Sequence, residues 1–218
     1  MEYAAKLRDV LPVDILTRED KEELARRMHI RHFKADEVIY HRGDPAADTH
    51  CVYTGLVKVL LVNAEGEEAL LLLLRRGDFF GELALFRDAP RDATVVAVIP
   101  TTTLQLSRQS CLDILARNPK AQEWTFHHMS ETIQHLENRY ESMVFHDVPG
   151  RLACYLLELK AISGELPIRQ DDLASAIGST RVTVNKLLAD FEKRGMVKVS
   201  RRKFEILDAD ALEKEMHH

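Results

Sequence analysis

The chain has 218 residues, of which 45% are hydrophobic and 30% charged, and its formal net charge is −5 at pH 7. Its length allows one large domain or two small ones, and its composition is ordinary for a globular protein. The longest apolar run, 69–74, is too short to span a bilayer, and the residues after Met1 lack the basic and apolar regions of a signal peptide. We therefore expect a cytoplasmic protein that does not enter a membrane.

The first predicted elements are a helix and a series of short strands. Thr17 is a suitable N-cap for a helix over 18–29, in which Leu24 and Met28 lie on one face. Between about 33 and 106, β-rich runs alternate with turn signals. The predicted strands are 37–40, 51–53, 56–62, 69–74, 93–99 and 102–106. This spacing favours an antiparallel barrel, roll or sandwich over alternating βαβ units.

A long amphipathic helix is predicted to begin after the strands, at Asn118-Pro119, since proline is tolerated in a first turn. Its apolar residues are spaced alternately by three and four, as in a heptad seam. They are Phe126, Met129, Ile133, Leu136, Tyr140 and Met143. A helix packed only on its own domain would carry a wider apolar stripe, so we expect a parallel dimer. Residues 147–150 are predicted to end this helix and to form a hinge.

The C-terminal part of the chain has the pattern of a winged helix-turn-helix over 170–206. Small Ala174, a turn at Gly178 and a cap at Ser179 or Thr180 suit two closely packed helices. Residues 150–206 hold 11 Lys+Arg against 7 Asp+Glu, whereas residues 1–149 hold 18 against 24. Of these two segments, only 150–206 has the net positive charge that favours contact with DNA phosphates. The alternative is a helical hairpin with solvated charges. The candidate DNA-contacting residues are Arg169, Ser179, Thr180, Arg181, Val182, Thr183, Asn185, Lys186, Arg201 and Lys203.

The most specific pattern lies in 77–85 and 90–95, which read GDFFGELAL and PRDATV. Gly81 allows the backbone to approach a ligand, and the following residues can begin a short helix whose N–H groups face an anion. Arg91 can bind a phosphate bidentately, and Glu82 can accept hydrogen bonds from ribose hydroxyls. The alternative is a turn stabilised by a Glu82–Arg91 ion pair.

Across nearly its whole length the chain resembles the CRP/FNR family of transcription regulators. The resemblance rests on the turn glycines of the strand region, the cassette FGELAL…PRDATV, the hinge FHDVPGRLA and the segment GSTRVTVNKLL. It implies an α+β fold with a cyclic-nucleotide-binding-type β-roll in 1–117, a dimerisation helix and hinge in 118–147, and a winged helix-turn-helix in 148–218.

The resemblance also implies roles for single residues. Glu82 would hold the ribose 2′-hydroxyl, Arg91 the cyclic phosphate, and Arg181 and Lys186 would read guanines. The effector-binding candidates are Gly81, Glu82, Leu83, Ala84, Arg91, Asp92, Ala93, Leu136, Glu137 and Asn138.

Four positions depart from the pattern of the cyclic-AMP-responsive members. Asp92 stands where they usually have Ser, Thr or Ala, and a carboxylate there repels a phosphate unless it is protonated or turned outward. Leu136 and Glu137 replace the polar pair that would hold the adenine amine. Val182 replaces a Glu common in the recognition helix, so we expect a different half-site.

We therefore predict a homodimeric, sequence-specific transcription regulator controlled by a small effector such as cyclic AMP or another cyclic nucleotide. Its expected partners are a palindromic DNA operator, a second copy and RNA polymerase, with no membrane and no bound metal. No P-loop, nucleophile elbow, HExxH or DFG pattern indicates an enzyme.

Two alternatives to this function remain open at this stage. The chain could be a cyclic-nucleotide module that regulates a signalling enzyme, or a regulator that needs no effector or senses haem or redox state. His128 and His135, seven residues apart, are the candidates for haem, and the widely spaced Cys51, Cys111 and Cys154 for redox sensing.

Overall fold

The structure, a computed structural model, describes residues 16–162, 168–200 and 203–216. These residues form two compact units, which divide after Glu131; a short segment, Glu68–Leu70, belongs with the second unit. None of the described helices is long and apolar enough to cross a membrane.

The first helix, α1 (Arg18–Arg27), begins at Thr17 as predicted. Thr17 Oγ1 accepts a hydrogen bond from the Asp20 backbone N–H at 3.1 Å, and the Asp20 carboxylate accepts from the Thr17 N–H at 3.1 Å. This reciprocal capping box satisfies two N–H groups at the helix start. The helix ends two residues before the predicted boundary, because His29 already pairs with Gln105 in a sheet.

The β-roll of the first unit consists of two four-stranded antiparallel sheets, in the orders β1-β8-β3-β6 and β2-β7-β4-β5. Each predicted β-rich run forms a strand, although its first or last residue differs from the predicted one. Two further short strands complete the sheets. Hydrophobic cores lie around Leu104 and around Val52. The strands are β1 (His29–Phe33), β2 (Val38–Tyr40), β3 (Asp48–Thr54), β4 (Val57–Val62), β5 (Glu68–Leu74), β6 (Phe79–Phe80), β7 (Thr94–Ala97) and β8 (Thr101–Ser107).

One helix, α2 (Glu82–Arg87), follows β6 in the chain. Two further helices, α3 (Arg108–Arg117) and α4 (Pro119–Phe145), follow β8. The short α2 and the long α4 confirm predictions, whereas α3 was not predicted. The Ser107 side chain caps α3 by accepting from the Ser110 N–H.

The second unit continues from α4 through α5 (Val148–Ile162), α6 (Gln170–Ala176), α7 (Arg181–Lys193), β9 (Val197–Ser200), β10 (Lys203–Ile206) and α8 (Ala209–Glu215). The long helix α4 ends just before the predicted segment 147–150, and residues 148–150 of that segment form the first turn of α5; the hinge role of the segment stays a prediction. Asp147 Oδ1 accepts from the Gly150 N–H at 3.0 Å, and Pro149 lies where proline is tolerated. The α+β class is confirmed.

Acid is expected to weaken the anchoring of α1. Asp20 is buried and accepts hydrogen bonds from Arg117 Nε at 3.0 Å and Asn118 Nδ2 at 2.8 Å. Burial alone would raise the pKa of Asp20, but hydrogen bonds from Thr17, Asn118 and Arg117 hold it below the usual value of an aspartate. A lowered pKa in the folded state stabilises the fold above the unfolded-state pKa of about 3.9, and this contribution is lost as pH falls through the folded-state value.

The test is urea unfolding of the wild type and Asp20→Asn. At pH 7 the free energy of unfolding of the variant should be about 1–3 kcal/mol lower than that of the wild type, because the charge-assisted hydrogen bonds are weakened. This difference should shrink below pH 4. A difference independent of pH would contradict the assignment.

Candidate functional sites

The predicted phosphate cassette turns sharply at Gly81, just before α2. Gly81 has φ +82°, in the left-handed region, and a Cβ added there would lie 2.3 Å from Arg91 Nη1. The left-handed backbone favours glycine at this position, and a side chain there would also have to displace the Arg91 guanidinium. The cassette backbone and Arg91 are thus in direct contact, and Arg91 Nη1 donates to the Gly81 carbonyl oxygen at 3.2 Å.

Arg91 is a buried cation in the roll, its side chain only 4% exposed. Its guanidinium carbon lies 4.1 Å from the centre of the Tyr40 ring, a cation–π contact. Its Nη2 forms an ion pair with Asp48, the first residue of β3. Among the described residues, the carboxylate that pairs with Arg91 is therefore Asp48, and not Glu82 as the alternative interpretation expected.

Asp48 is held by further polar contacts. Its Oδ2 accepts from Gln105 Nε2 at 2.5 Å, and its Oδ1 lies 3.4 Å from His50 Nε2. Burial would raise the pKa of Asp48, but hydrogen bonding and charge from His50, Arg91 and Gln105 hold it below its usual value. Asp48 is consequently an anion at neutral pH. No motif singled it out in the sequence.

The other cassette candidates differ in exposure. Glu82 is half-buried, and burial raises the pKa of its carboxyl. Leu83 is 47% exposed, whereas Ala84 is buried and Ala93 packs at the edge of a core. Asp92 Oδ1 lies 3.1 Å from Arg87 Nη1, with its side chain 40% exposed. This pairing turns the Asp92 carboxylate outward, which is the condition under which it does not repel an anion at Arg91.

An aromatic cluster joins β6 to the start of α4. The rings of Trp124 and His128 stack with centroids 5.5 Å apart, and Phe79 meets Trp124 edge-on at 5.0 Å. His128 is thus engaged in stacking. His135 Nε2 contacts Glu158 of α5 at 2.9 Å. Within the described ranges, no cluster of three His, Cys, Asp or Glu residues could hold a metal ion.

The three cysteines are free thiols with raised pKa values. Burial raises the pKa of Cys111 to about 12 and also raises the pKa values of Cys51 and Cys154. Redox-sensing cysteines need accessible thiolates, so these environments do not favour the redox alternative.

One face of α4 presents the predicted seam to solvent. Phe126, Ile133 and Tyr140, each seven residues apart, are 68%, 56% and 73% exposed. Met129 and Leu136 are half-buried and Met143 is exposed. Next to Leu136, both Glu137 and Asn138 are exposed, and the Asn138 side-chain oxygen accepts from Gln134 Nε2 at 3.3 Å. The neighbouring face of α4 carries more buried residues. Among them are Ala121, Thr125, His128, Thr132, His135, Arg139 and Ser142.

The predicted recognition helix is α7. Gly178 has φ +60° in the turn before it, and Thr180 Oγ1 caps the helix by accepting from the Thr183 N–H at 3.2 Å. Val184 and Leu188 are buried, as predicted. The exposed side chains of α7 include Arg181, Val182, Asn185 and Lys186, while Thr183 is half-buried.

Other candidates surround α7. Arg169 precedes α6 and is exposed, and Ser179 is half-buried. Arg181 Nη1 contacts Asp171 of α6 at 3.2 Å, with both side chains more than 60% exposed, so the pair is weak and open to competition. Strands β9 and β10 form the predicted wing hairpin. Arg201 and the side chain of Lys203 lie outside the described part of the chain.

Sequence comparisons match both units to known families. Residues 30–118 match the cyclic nucleotide-binding domain, and residues 150–215 match the Crp-like helix-turn-helix domain. A CRP-like cAMP-activated global transcriptional regulator of Mycobacterium tuberculosis is 27% identical over 189 residues, which cover 83% of this chain and 84% of that protein. A global nitrogen regulator of Nostoc sp. is 30% identical over 185 residues, covering 80% and 83%.

The fold is also similar to that of FixK2 from Bradyrhizobium japonicum. The TM-score is 0.78 at 21% identity, with 86% of this chain and 96% of that chain covered, so this likeness concerns the fold. Both family matches, in this order on one chain, are those of a DNA-binding regulator and not of an enzyme. The chain accordingly belongs to the CRP/FNR family of transcription regulators.

Proposed function

We propose that the chain acts as a cytoplasmic homodimer that binds a palindromic operator and contacts RNA polymerase there. The observation that carries the DNA-binding part is the face of α7. It exposes Arg181, Asn185 and Lys186 together, while Val184 and Leu188 are buried beneath them. Arginine and asparagine form bidentate hydrogen bonds with guanine and adenine, and lysine binds guanine or phosphate.

The dimer would form along α4. A parallel coiled coil buries side chains at alternate spacings of three and four, which is the spacing of the exposed and half-exposed seam. Two copies related by a two-fold axis would present two recognition helices, about 34 Å apart, to one face of DNA. The division into effector, dimerisation and DNA-binding domains at 117 and 147 is part of this proposal.

We further propose that the β-roll binds the controlling effector, with a cyclic nucleotide as the first candidate. One relative is named for activation by cAMP, and residues 30–118 match the cyclic nucleotide-binding domain. Arg91 would hold the phosphate and Glu82 a ribose hydroxyl, with the other effector candidates lining the site. A bound effector needs to favour the DNA-competent arrangement by only a few kcal/mol to change promoter occupancy.

The direct test of DNA reading is Arg181→Ala. Loss of bidentate contacts to a base should weaken binding to the specific operator by about 1–3 kcal/mol, with a smaller loss on random DNA. Fluorescence anisotropy at fixed salt concentration measures the affinity for random DNA and the affinity for a specific operator, which is first selected from a random library. Lys193→Ala removes the same charge from the far end of α7 and is the matched control. Equal losses on specific and random DNA would show that Arg181 reads no base.

A further inference from the structure

The interior of the β-roll already contains an anion at the predicted phosphate ligand. Arg91 Nη2 is paired with the carboxylate of Asp48, and Arg91 Nη1 donates to the Gly81 carbonyl oxygen. The face of the guanidinium covers the Tyr40 ring. Both terminal nitrogens of Arg91 are therefore engaged within the protein, although an arginine binds phosphate best when both are available.

Asp48 is held firmly at this position. Gln105 Nε2 donates to its Oδ2 at 2.5 Å, and His50 lies beside its Oδ1. His50 is itself fixed, since its ring stacks on Phe80 at 5.0 Å and its Nδ1 lies 3.0 Å from Thr103 Oγ1. The carboxylate is thus part of a built network in the sheet β1-β8-β3-β6, and not a mobile surface group.

The local charge balance differs from that of an open phosphate site. Without Asp48, Arg91 would offer an uncompensated positive charge in a shielded place. With Asp48 the pair is neutral, and Glu82 nearby on α2 adds a second carboxyl group. An incoming phosphate would have to approach these carboxylates and to replace Asp48 at the guanidinium, which opposes its binding.

We propose that Asp48 is an internal counter-ion that occupies the phosphate position at Arg91 and thereby weakens the affinity of the roll for cyclic nucleotides. This inference rests on the proposed function of the roll as a nucleotide site. Nucleotide binding requires an exchange, in which Arg91 releases Asp48 and takes the phosphate. Asp48 therefore sets the nucleotide concentration at which the regulator responds.

The experiment is calorimetric titration of the full-length protein with cyclic AMP and, separately, cyclic GMP. Asp48→Asn removes the charge but retains an acceptor for Gln105, and it frees Arg91 for a phosphate. We expect the dissociation constant for at least one nucleotide to fall by about tenfold or more, since adverse juxtaposition of like charges is costly. Asp48→Ser serves as a second variant, and thermal unfolding checks that each variant is folded.

Two control variants separate a specific effect from a general one. Asp92→Asn removes one negative charge next to Arg91 in the chain but leaves the Arg91–Asp48 pair intact, so its effect should be smaller than that of Asp48→Asn. The double variant Asp48→Asn/Arg91→Gln removes both charges of the pair and should lose the gained affinity.

The outcomes distinguish the inference from the function on which it rests. Equal affinities of the wild type and Asp48→Asn, both lost when Arg91 is replaced, would overturn the role of Asp48 but support the nucleotide site. A similar gain in Asp92→Asn would also overturn it, because overall charge would then suffice. Absence of binding in every folded variant would refute the nucleotide site itself, and the inference would fall with it.

Discussion

Ile133→Asp is expected to convert the dimer into monomers and to weaken binding to a palindromic operator by about 10²–10⁴-fold, the advantage that linkage of two binding modules provides. Ile133 is 56% exposed at the centre of the α4 seam, between Phe126 and Tyr140. In a coiled coil its side chain would be buried against the partner helix, where an unpaired carboxylate is strongly unfavourable. Light scattering after gel filtration measures the mass, and anisotropy with full and half operators measures binding.

Gln134→Asp is the matched control for this change. Gln134 is the next residue of α4 and is exposed, but it lies outside the seam. The variant carries the same new charge and should remain dimeric. Affinity for a single half-site should be similar in all three proteins, because each recognition helix is unchanged. A dimeric Ile133→Asp variant would show that the seam is not the interface.

Phe191→Ala is expected to destabilise the second unit by about 3–5 kcal/mol, the usual cost of truncating a fully buried phenylalanine. Phe191 is 0% exposed and lies on the inner face of α7 with Val184 and Leu188. Since total stabilities are commonly about 5–15 kcal/mol, this loss should also reduce operator binding at 37 °C. Urea unfolding followed by circular dichroism measures the change.

Leu207→Ala provides the comparison in the same unit. Leu207 is 54% exposed, so its truncation should change stability by no more than about 0.5 kcal/mol. Similar losses in both variants would mean that Phe191 does not form the core beneath the recognition helix.

Elements with a strong repeating pattern were predictable from the sequence. The seam of α4 follows from its heptad spacing, and α7 follows from the turn at Gly178 and the cap at Thr180. Strand β1 was missed because HIRHF lacks an apolar alternation, and its place in the sheet comes from pairing with β8. Pro149 was assigned to the segment that ends α4, whereas the structure places it in the first turn of α5.

The candidate effector site was only partly predictable. Local sequence was sufficient to bring Gly81 and Arg91 together, since they belong to one cassette. Asp48 lies 43 residues before Arg91, and the two meet only when β3 joins its sheet beside the cassette. A contact of this kind depends on tertiary closure, which no single segment encodes. By contrast, Asp92, the suspected source of repulsion, pairs with Arg87 five residues before it, a contact within the local segment.

The aromatic cluster at the start of α4 gives the protein a built-in optical reporter. The chain has a single tryptophan, Trp124, whose ring lies against His128 and Phe79. Its emission therefore comes from one location, where β6, adjoining the phosphate cassette, meets the helix that carries the seam. Any rearrangement that separates the Trp124 and His128 rings changes the intensity or wavelength of that emission. The unlabelled regulator can thus be followed through its own fluorescence in real time.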